Sequence, residues 1–150
     1  MQRNTRFVLL LLLGGTALDL VLVVDVSHSM SSSLSSVRSF LTDLLTHFTI
    51  SATDTQVALV TFALPAVLDW NLQSTQTADY NTLITSINSK LSTTTNIGGV
   101  NGGLQVVLNE VLGNYHSHDR YGAVDVVLVV GDSGTPPTSD QLEEMRQHAR

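Results

Sequence analysis

Three oxygen-bearing side chains occupy every second position in one short stretch of the sequence. Asp25, Ser27 and Ser29 follow the apolar run "LDLVLVV" directly. One carboxylate and two hydroxyls are hard oxygen ligands, which suit Mg²⁺ in octahedral coordination. Because so little protein charge surrounds it, an ion held there would stay electrophilic and would accept a carboxylate from outside. An Asp-Ser turn that caps the following helix is the simpler interpretation, but a cap needs only one such side chain.

Two further polar groups stand at comparable places. Asp132 ends the apolar run "AVDVVLVVGD", and the stretch "TTTNIGG", residues 93–99, lies in a loop that enters a helix. In open α/β sheets, ligands bind beyond the carboxyl ends of the strands, where the strand order reverses. We therefore expect the three polar groups to meet at one edge of a sheet. For Asp132 the alternative is an ordinary turn aspartate before Gly134.

The elements that position these residues alternate along the chain. Three nearly continuous β-favouring runs predict strands buried on both faces. A shorter alternating run predicts an edge strand that forms a hairpin with the second of them. The predicted strands are Leu18 to Val26, Thr55 to Leu64, Ala66 to Leu72 and Ala123 to Asp132.

Apolar residues at three- and four-residue steps predict helices between the strands. They cover residues 31–48, 80–91 after an N-cap at Asp79, 99–112, and a last helix that begins at Ser139 or Asp140. Strands alternating with helices indicate an α/β fold. We predict a Rossmann-like, doubly wound, mainly parallel sheet with helices on both faces and one short antiparallel edge strand.

Composition restricts the class of protein. The chain has 150 residues, enough for one domain, and 43% of them are hydrophobic, which favours a folded core. The net charge is −6 and the basic residues are scattered, which excludes a nucleic-acid footprint. The absence of cysteine excludes disulfides and thiolate metal sites.

The N-terminus has the order of a secretory signal. Arg3 and Arg6 precede the apolar run Phe7 to Leu13, and small residues follow up to Ala17. This run is shorter than the roughly 18 residues that cross a bilayer, so we expect no stable membrane insertion. We predict a signal peptide over residues 1–17 and a secreted protein. The alternative is that the apolar run belongs to the core of a cytosolic protein.

The motifs together resemble the von Willebrand factor type A domain. "DVSHSM" resembles the family's Asp-x-Ser-x-Ser motif, "TNIGG" its Thr-centred loop, and "VVLVVGDSG" its later strand ending in Asp. The resemblance runs over residues 18–150. It implies a metal-ion-dependent adhesion site (MIDAS) formed by Asp25, Ser27, Ser29, Thr95 and Asp132. By this resemblance Ser27 and Ser29 bind Mg²⁺ directly, Thr95 or Asp132 directly or through water, and Asp25 mainly through water.

The resemblance also implies a function. The protein would be a non-enzymatic, divalent-cation-dependent adhesion module whose Mg²⁺, or Mn²⁺ in its place, coordinates a Glu or Asp of an extracellular protein ligand, such as collagen or another matrix protein. Gly131 stands where the family usually has Thr, and His28 where it often has Gly. The family domain normally continues with further strands after the position that corresponds to Arg150. We therefore expect the domain 18–150 to lack its last strands. The Ala123 to Asp132 strand would then lie at an unprotected edge of the sheet.

Two other functions are weighed against adhesion. A haloacid-dehalogenase-type phosphohydrolase also uses Mg²⁺ and an Asp, here Asp25, after its first strand, but it needs a second Asp where this chain has Ser27. It also needs a lysine near a later strand, whereas Lys90 lies on a predicted helix. An intracellular type A domain acting as an assembly scaffold is the third possibility. The glycines at 98–103 lack the following lysine of a phosphate-binding loop.

Overall fold

The computed structural model describes residues 6–11, 17–63, 65–95, 100–112, 119–132 and 138–148. Within these residues, five strands form one sheet: β1 Arg6–Leu11, β2 Leu18–Asp25, β3 Thr55–Phe62, β4 Val67–Trp70 and β5 Val124–Gly131. The α-helices of the same residues are α1 Leu34–Leu45, α2 Tyr80–Lys90, α3 Val100–Val106 and α4 Ser139–His148. No helix in this described part of the chain is long and apolar enough to cross a membrane.

The sheet has the order β1-β5-β2-β3-β4. Strand β2 lies in the middle and runs parallel to both β3 and β5. The chain therefore leaves β2 towards β3 on one side and later returns to β5 on the other. This is the reversal of strand order that opens a crevice at the carboxyl end of the central strand. The predicted α/β class with a doubly wound, mainly parallel sheet is confirmed.

Alternate residues of β2 belong to two separate hydrophobic cores, as the two-residue period of a strand requires. Leu20, Leu22 and Val24 pack with residues of α1 and α2. Val21 and Val23 pack on the opposite face with Leu104 of α3 and with the residues that follow α3. Helices thus cover both faces, and β2 is buried along nearly its whole length.

Both edges of the sheet are antiparallel, whereas the sequence predicted one antiparallel edge strand. β4 pairs with β3 as predicted, and the Trp70 indole donates to the Val57 carbonyl at 3.0 Å. At the other edge β1 pairs antiparallel with β5, so the β5 edge that we expected to be unprotected is covered. β1 falls inside the predicted signal peptide, whose residues 1–5 and 12–16 lie outside the described residues. The same segment cannot both stay in the sheet as β1 and be removed as a signal peptide. The signal peptide stays a prediction.

The helices follow the predicted pattern, with differences at their ends. α1 begins at Leu34 instead of Ser31, because a 3₁₀ turn, His28–Met30, comes first and buries the Met30 side chain. α2 has the predicted cap: the Asp79 Oδ1 accepts the Thr82 N–H at 3.0 Å. α3 ends at Val106 and continues as a π-helical turn, Val107–Val111.

Candidate metal centre

Asp25 is the last residue of β2, where the buried strand reaches the crevice. Its side chain lies on the face that carries Val21 and Val23, and the residue is only 1% exposed. Its Oδ1 accepts the backbone N–H of Ser27 at 2.8 Å, which turns the chain sharply as it leaves the sheet. Its Oδ2 is buried and has no hydrogen-bond partner.

Ser27, Ser29 and Asp132 form a continuous chain of side-chain contacts. The Ser29 hydroxyl donates to Asp132 Oδ1 at 2.9 Å, and the Ser27 and Ser29 Oγ atoms are 3.0 Å apart. The Ser27 hydroxyl also lies within hydrogen-bonding reach of the Asp25 carboxylate, so this chain of contacts links Asp25 with Asp132.

Thr95 reaches the same place through the backbone. It forms an isolated parallel bridge with Ser27, and its N–H donates to the Val26 carbonyl at 2.8 Å. The side chain of Thr95 is exposed. The rest of the "TNIGG" loop, residues 96–99, lies outside the described residues. The structure therefore brings Asp25, Ser27, Ser29, Thr95 and Asp132 together at one edge of the sheet.

The electrostatic environment of Asp25 lacks positive charge. Burial is the largest influence and raises the pKa of the Asp25 carboxyl above its ordinary 3.8, while hydrogen bonds from Ser27 act in the opposite direction. The negative charge of Asp132 raises the pKa further. A cation placed between these two carboxylates would relieve both the desolvation and the repulsion.

The donor set fits a hard divalent cation. It consists of two carboxylates and three hydroxyls, all of them oxygen ligands of the kind that Mg²⁺ and Mn²⁺ prefer. The buried, unpartnered Asp25 Oδ2 is the observation that tests this fit, since buried carboxylate oxygens are normally hydrogen-bonded or bound to a metal. The residues present therefore suit such an ion.

Gly131 allows β5 to approach Asp25 closely, a role that the sequence reasoning missed. A Cβ on Gly131 would lie 2.9 Å from the Asp25 Cβ and 3.2 Å from the orphan Oδ2. It would also lie 3.2 Å from Cζ of the buried Phe62. The only signal in the sequence was that Gly131 stands where the family usually has Thr. The structure explains this glycine, because a side chain there would crowd Asp25 and Phe62.

A groove of about 760 Å³ opens beside the site, and Val26 and Thr95 contribute to its wall. Trp70, Asp69 and Lys90 also line the groove. The Lys90 Nζ lies 2.5 Å from Asp69 Oδ1, and the Asp69 side chain is 1% exposed. The chain's only lysine is thus paired with a buried carboxylate of the sheet edge and not with Asp25.

Comparison with known proteins agrees with the geometry. Residues 19–150 match the family model of the von Willebrand factor type A domain. A comparison with curated proteins gives no significant match.

Two solved structures share the fold. Proximal thread matrix protein 1 from the mussel byssus, solved with a zinc-occupied MIDAS motif, is 23% identical with a TM-score of 0.58, and the match covers 73% of this chain and 28% of that one. The manganese-loaded TRAP protein of Plasmodium vivax is 18% identical with a TM-score of 0.61, over 96% of this chain and 57% of that one. This chain therefore spans less than two thirds of the length of either protein.

Proposed function

The chain belongs to the von Willebrand factor type A domain family, and on that premise we propose that it is a divalent-cation-dependent protein-binding module. Asp25, Ser27, Ser29, Thr95 and Asp132 hold the cation, which is Mg²⁺ and can be replaced by Mn²⁺. The bound cation supplies a Lewis-acidic position that accepts a Glu or Asp carboxylate of the protein ligand. The proposed setting is extracellular, with collagen or another matrix protein as the ligand.

One observation carries this proposal. The Asp25 Oδ2 is buried without a partner, and the linked side chains of Ser27, Ser29 and Asp132 lie beside it. A buried acceptor without a donor is costly, and a cation that also binds the hydroxyl oxygens of Ser27 and Ser29 is the partner that satisfies it. The metal-loaded sites of the two fold relatives add support from outside this chain.

The parts of the site have separate roles. Asp25 turns the loop by accepting the Ser27 N–H, and Met30 anchors the loop in the core below. Asp132 orients the Ser29 hydroxyl from the neighbouring strand. Thr95 is tied to the Ser27 segment through backbone contacts, so that its exposed side chain stands at the rim towards the groove. The groove offers a surface for the ligand residues that flank the acidic one.

Among the residues that the structure describes around Asp25, none favours a phosphohydrolase. Ser27 stands where that chemistry needs a second Asp, and Lys90 is engaged by Asp69. We therefore propose that the site binds and does not turn over a substrate.

A solid-phase assay with fibrillar collagen and a panel of other purified matrix proteins tests this function. We expect binding in Mg²⁺ or Mn²⁺, loss of binding in EDTA, and loss in Ser27→Ala. Ser36→Ala is the matched control, because Ser36 is an exposed serine on α1. Binding that persists in EDTA and in Ser27→Ala would contradict the proposal, as would phosphatase turnover that disappears in Asp25→Asn.

A further inference from the structure

A second group of carboxylates lies at the opposite end of the same strands. Asp19 is the second residue of β2 and Asp125 the second residue of β5, and the two are direct neighbours in the parallel register. Asp119 comes from the loop before β5. One carboxylate oxygen of each residue lies within 4.8 Å of the others. Asp19 and Asp25 are six residues apart on β2, so this group is about 20 Å from the candidate MIDAS.

The donors present satisfy only part of this group. Arg120 binds Asp19 twice, through Nε to Oδ1 at 2.8 Å and through its backbone N–H to Oδ2 at 2.9 Å. Its guanidinium also donates to the carbonyls of Leu18 and Asp54, both at 2.8 Å. Arg120 is therefore committed to Asp19 and to the backbone around it.

Asp125 is the member of the group that no basic side chain of the described residues contacts, and its side chain shares a hydrogen bond with Asp119 instead. It is 5% exposed, and its Oδ1 is buried with no hydrogen-bond partner. Gln56, the neighbour of Asp19 on its other side, likewise has a buried side-chain oxygen without a donor. The row across β3, β2 and β5 thus contains more acceptors than donors, which is rare in a folded core.

Charge leads to the same conclusion. With all three carboxylates ionised, the single guanidinium would leave two excess negative charges. Burial, and next the charges of Asp119 and Asp19, raise the pKa of Asp125 to about 7. Burial also raises the pKa of Asp119. Either a proton shared between Asp119 and Asp125 or a bound divalent cation would compensate the excess.

We propose that Asp19, Asp119 and Asp125 form a second cation site, specific for Ca²⁺ and separate from the MIDAS. Oxygens bound to one Ca²⁺ ion lie at most about 5.2 Å apart, and the three carboxylates, with one oxygen of each within 4.8 Å of the others, meet this limit. Mg²⁺ demands regular octahedral geometry at about 2.0–2.1 Å, whereas Ca²⁺ accepts irregular geometry at about 2.3–2.6 Å and binds a carboxylate through one or both oxygens. A Ca²⁺ ion here ties the loop before β5 to the start of β2.

The test measures the melting temperature of the EDTA-stripped full chain as CaCl₂ is added. Ser27→Ala disables the MIDAS, so a response that remains in this variant reports the second site. We expect Ca²⁺ to raise the melting temperature of wild type and Ser27→Ala alike. In Asp119→Ala, calorimetric titration should show Ca²⁺ affinity lowered by more than about 100-fold. Loss of a residue that only supports a metal ligand lowers affinity by up to about 100-fold, and Asp119 is proposed to bind the ion directly. Asp43→Ala, an exposed aspartate on α1, is the charge-matched control.

Asp125→Leu provides a second, independent readout. Leu removes the unpartnered carboxylate and keeps a similar volume, so without Ca²⁺ this variant should melt higher than wild type, and Ca²⁺ should no longer raise its melting temperature. A Ca²⁺ response that survives unchanged in both Asp119→Ala and Asp125→Leu would overturn the proposal. The proposal would also be overturned if Ca²⁺ did not change the melting temperature of Ser27→Ala. A proton shared between Asp119 and Asp125 would then compensate the excess charge.

Discussion

The substitution Gly131→Ala tests how β5 and Asp25 fit together. The added Cβ would stand 2.9 Å from the Asp25 Cβ and 3.2 Å from Cζ of Phe62. Carbon atoms do not pack at such distances, so one of the neighbours must move. Asp25 is 1% and Phe62 0% exposed, and close-packed surroundings resist that movement.

The size of the effect follows from two opposing contributions. Overpacking a core costs about 1–3 kcal/mol. Replacing glycine by alanine inside a strand recovers about 0.5–1 kcal/mol of backbone entropy. The two ranges combine to a loss of about 0–2.5 kcal/mol, and because two buried neighbours are displaced at once we expect the free energy of unfolding to fall by about 1–2 kcal/mol. Because the displaced neighbour includes the Asp25 carboxylate, divalent-cation affinity should fall by about 10- to 100-fold as well, as when a metal ligand loses its support.

Urea denaturation followed by circular dichroism measures the change, with Gly102→Ala as the control. Gly102 is an exposed glycine of α3, and a Cβ there meets only the Ala66 Cβ at an ordinary 3.5 Å. This control should gain up to about 1 kcal/mol from helix propensity. If Gly131→Ala proves as stable as wild type, or gains stability as the control does, the close approach of β5 to Asp25 is refuted.

Three further substitutions or deletions test other parts of the structure. Gly103→Ala, next to the control Gly102 on α3, should lower the urea midpoint, because its Cβ would lie 2.9 Å from a valine side chain of β2; a midpoint equal to that of Gly102→Ala would contradict this packing. Hydrogen bonds from Thr82, first from its N–H, lower the pKa of Asp79 below its unfolded value of 3.8. The stabilisation by Asp79 is therefore complete above pH 3.8 and is lost as the pH falls through the lowered pKa. The difference in unfolding free energy between wild type and Asp79→Ala should shrink on acidification. A difference that does not depend on pH would argue against this cap. Deletion of residues 1–17 frees the β5 edge and should produce self-association in sedimentation velocity, whereas a monomeric species would mean that the edge needs no cover.

The core of the fold was predictable because its signals are local and strong. The nearly continuous apolar runs of β2, β3 and β5 predict buried strands, and Asp79 marks the start of α2 through its capping side chain. The meeting of Asp25 with Asp132 followed from one topological rule, that parallel strands present their carboxyl ends at the same edge. The buried strands, the helix cap and the shared sheet edge can all be predicted without knowing the order of the strands in the sheet.

The remaining features depend on contacts between distant parts of the chain. The apolar stretch that contains Arg6–Leu11 suits an exported signal and an edge strand equally, and only pairing with β5 distinguishes them. The backbone bridge of Thr95 to Ser27 joins a loop to a strand end, which spacing cannot reveal. A signal for the second acidic group did exist, since Asp19 and Asp125 each interrupt an apolar run at the second position of a buried strand.

The central claim is that Asp25 and its neighbours hold a divalent cation. Titration of the full chain with Mn²⁺, followed by the electron paramagnetic resonance signal of the free ion and with Ca²⁺ present to fill the second site, measures this directly. We predict that wild type binds one more Mn²⁺ ion than Asp25→Asn and that Ser36→Ala binds as wild type does. Equal numbers of bound Mn²⁺ ions and equal affinities in wild type and Asp25→Asn would contradict the claim.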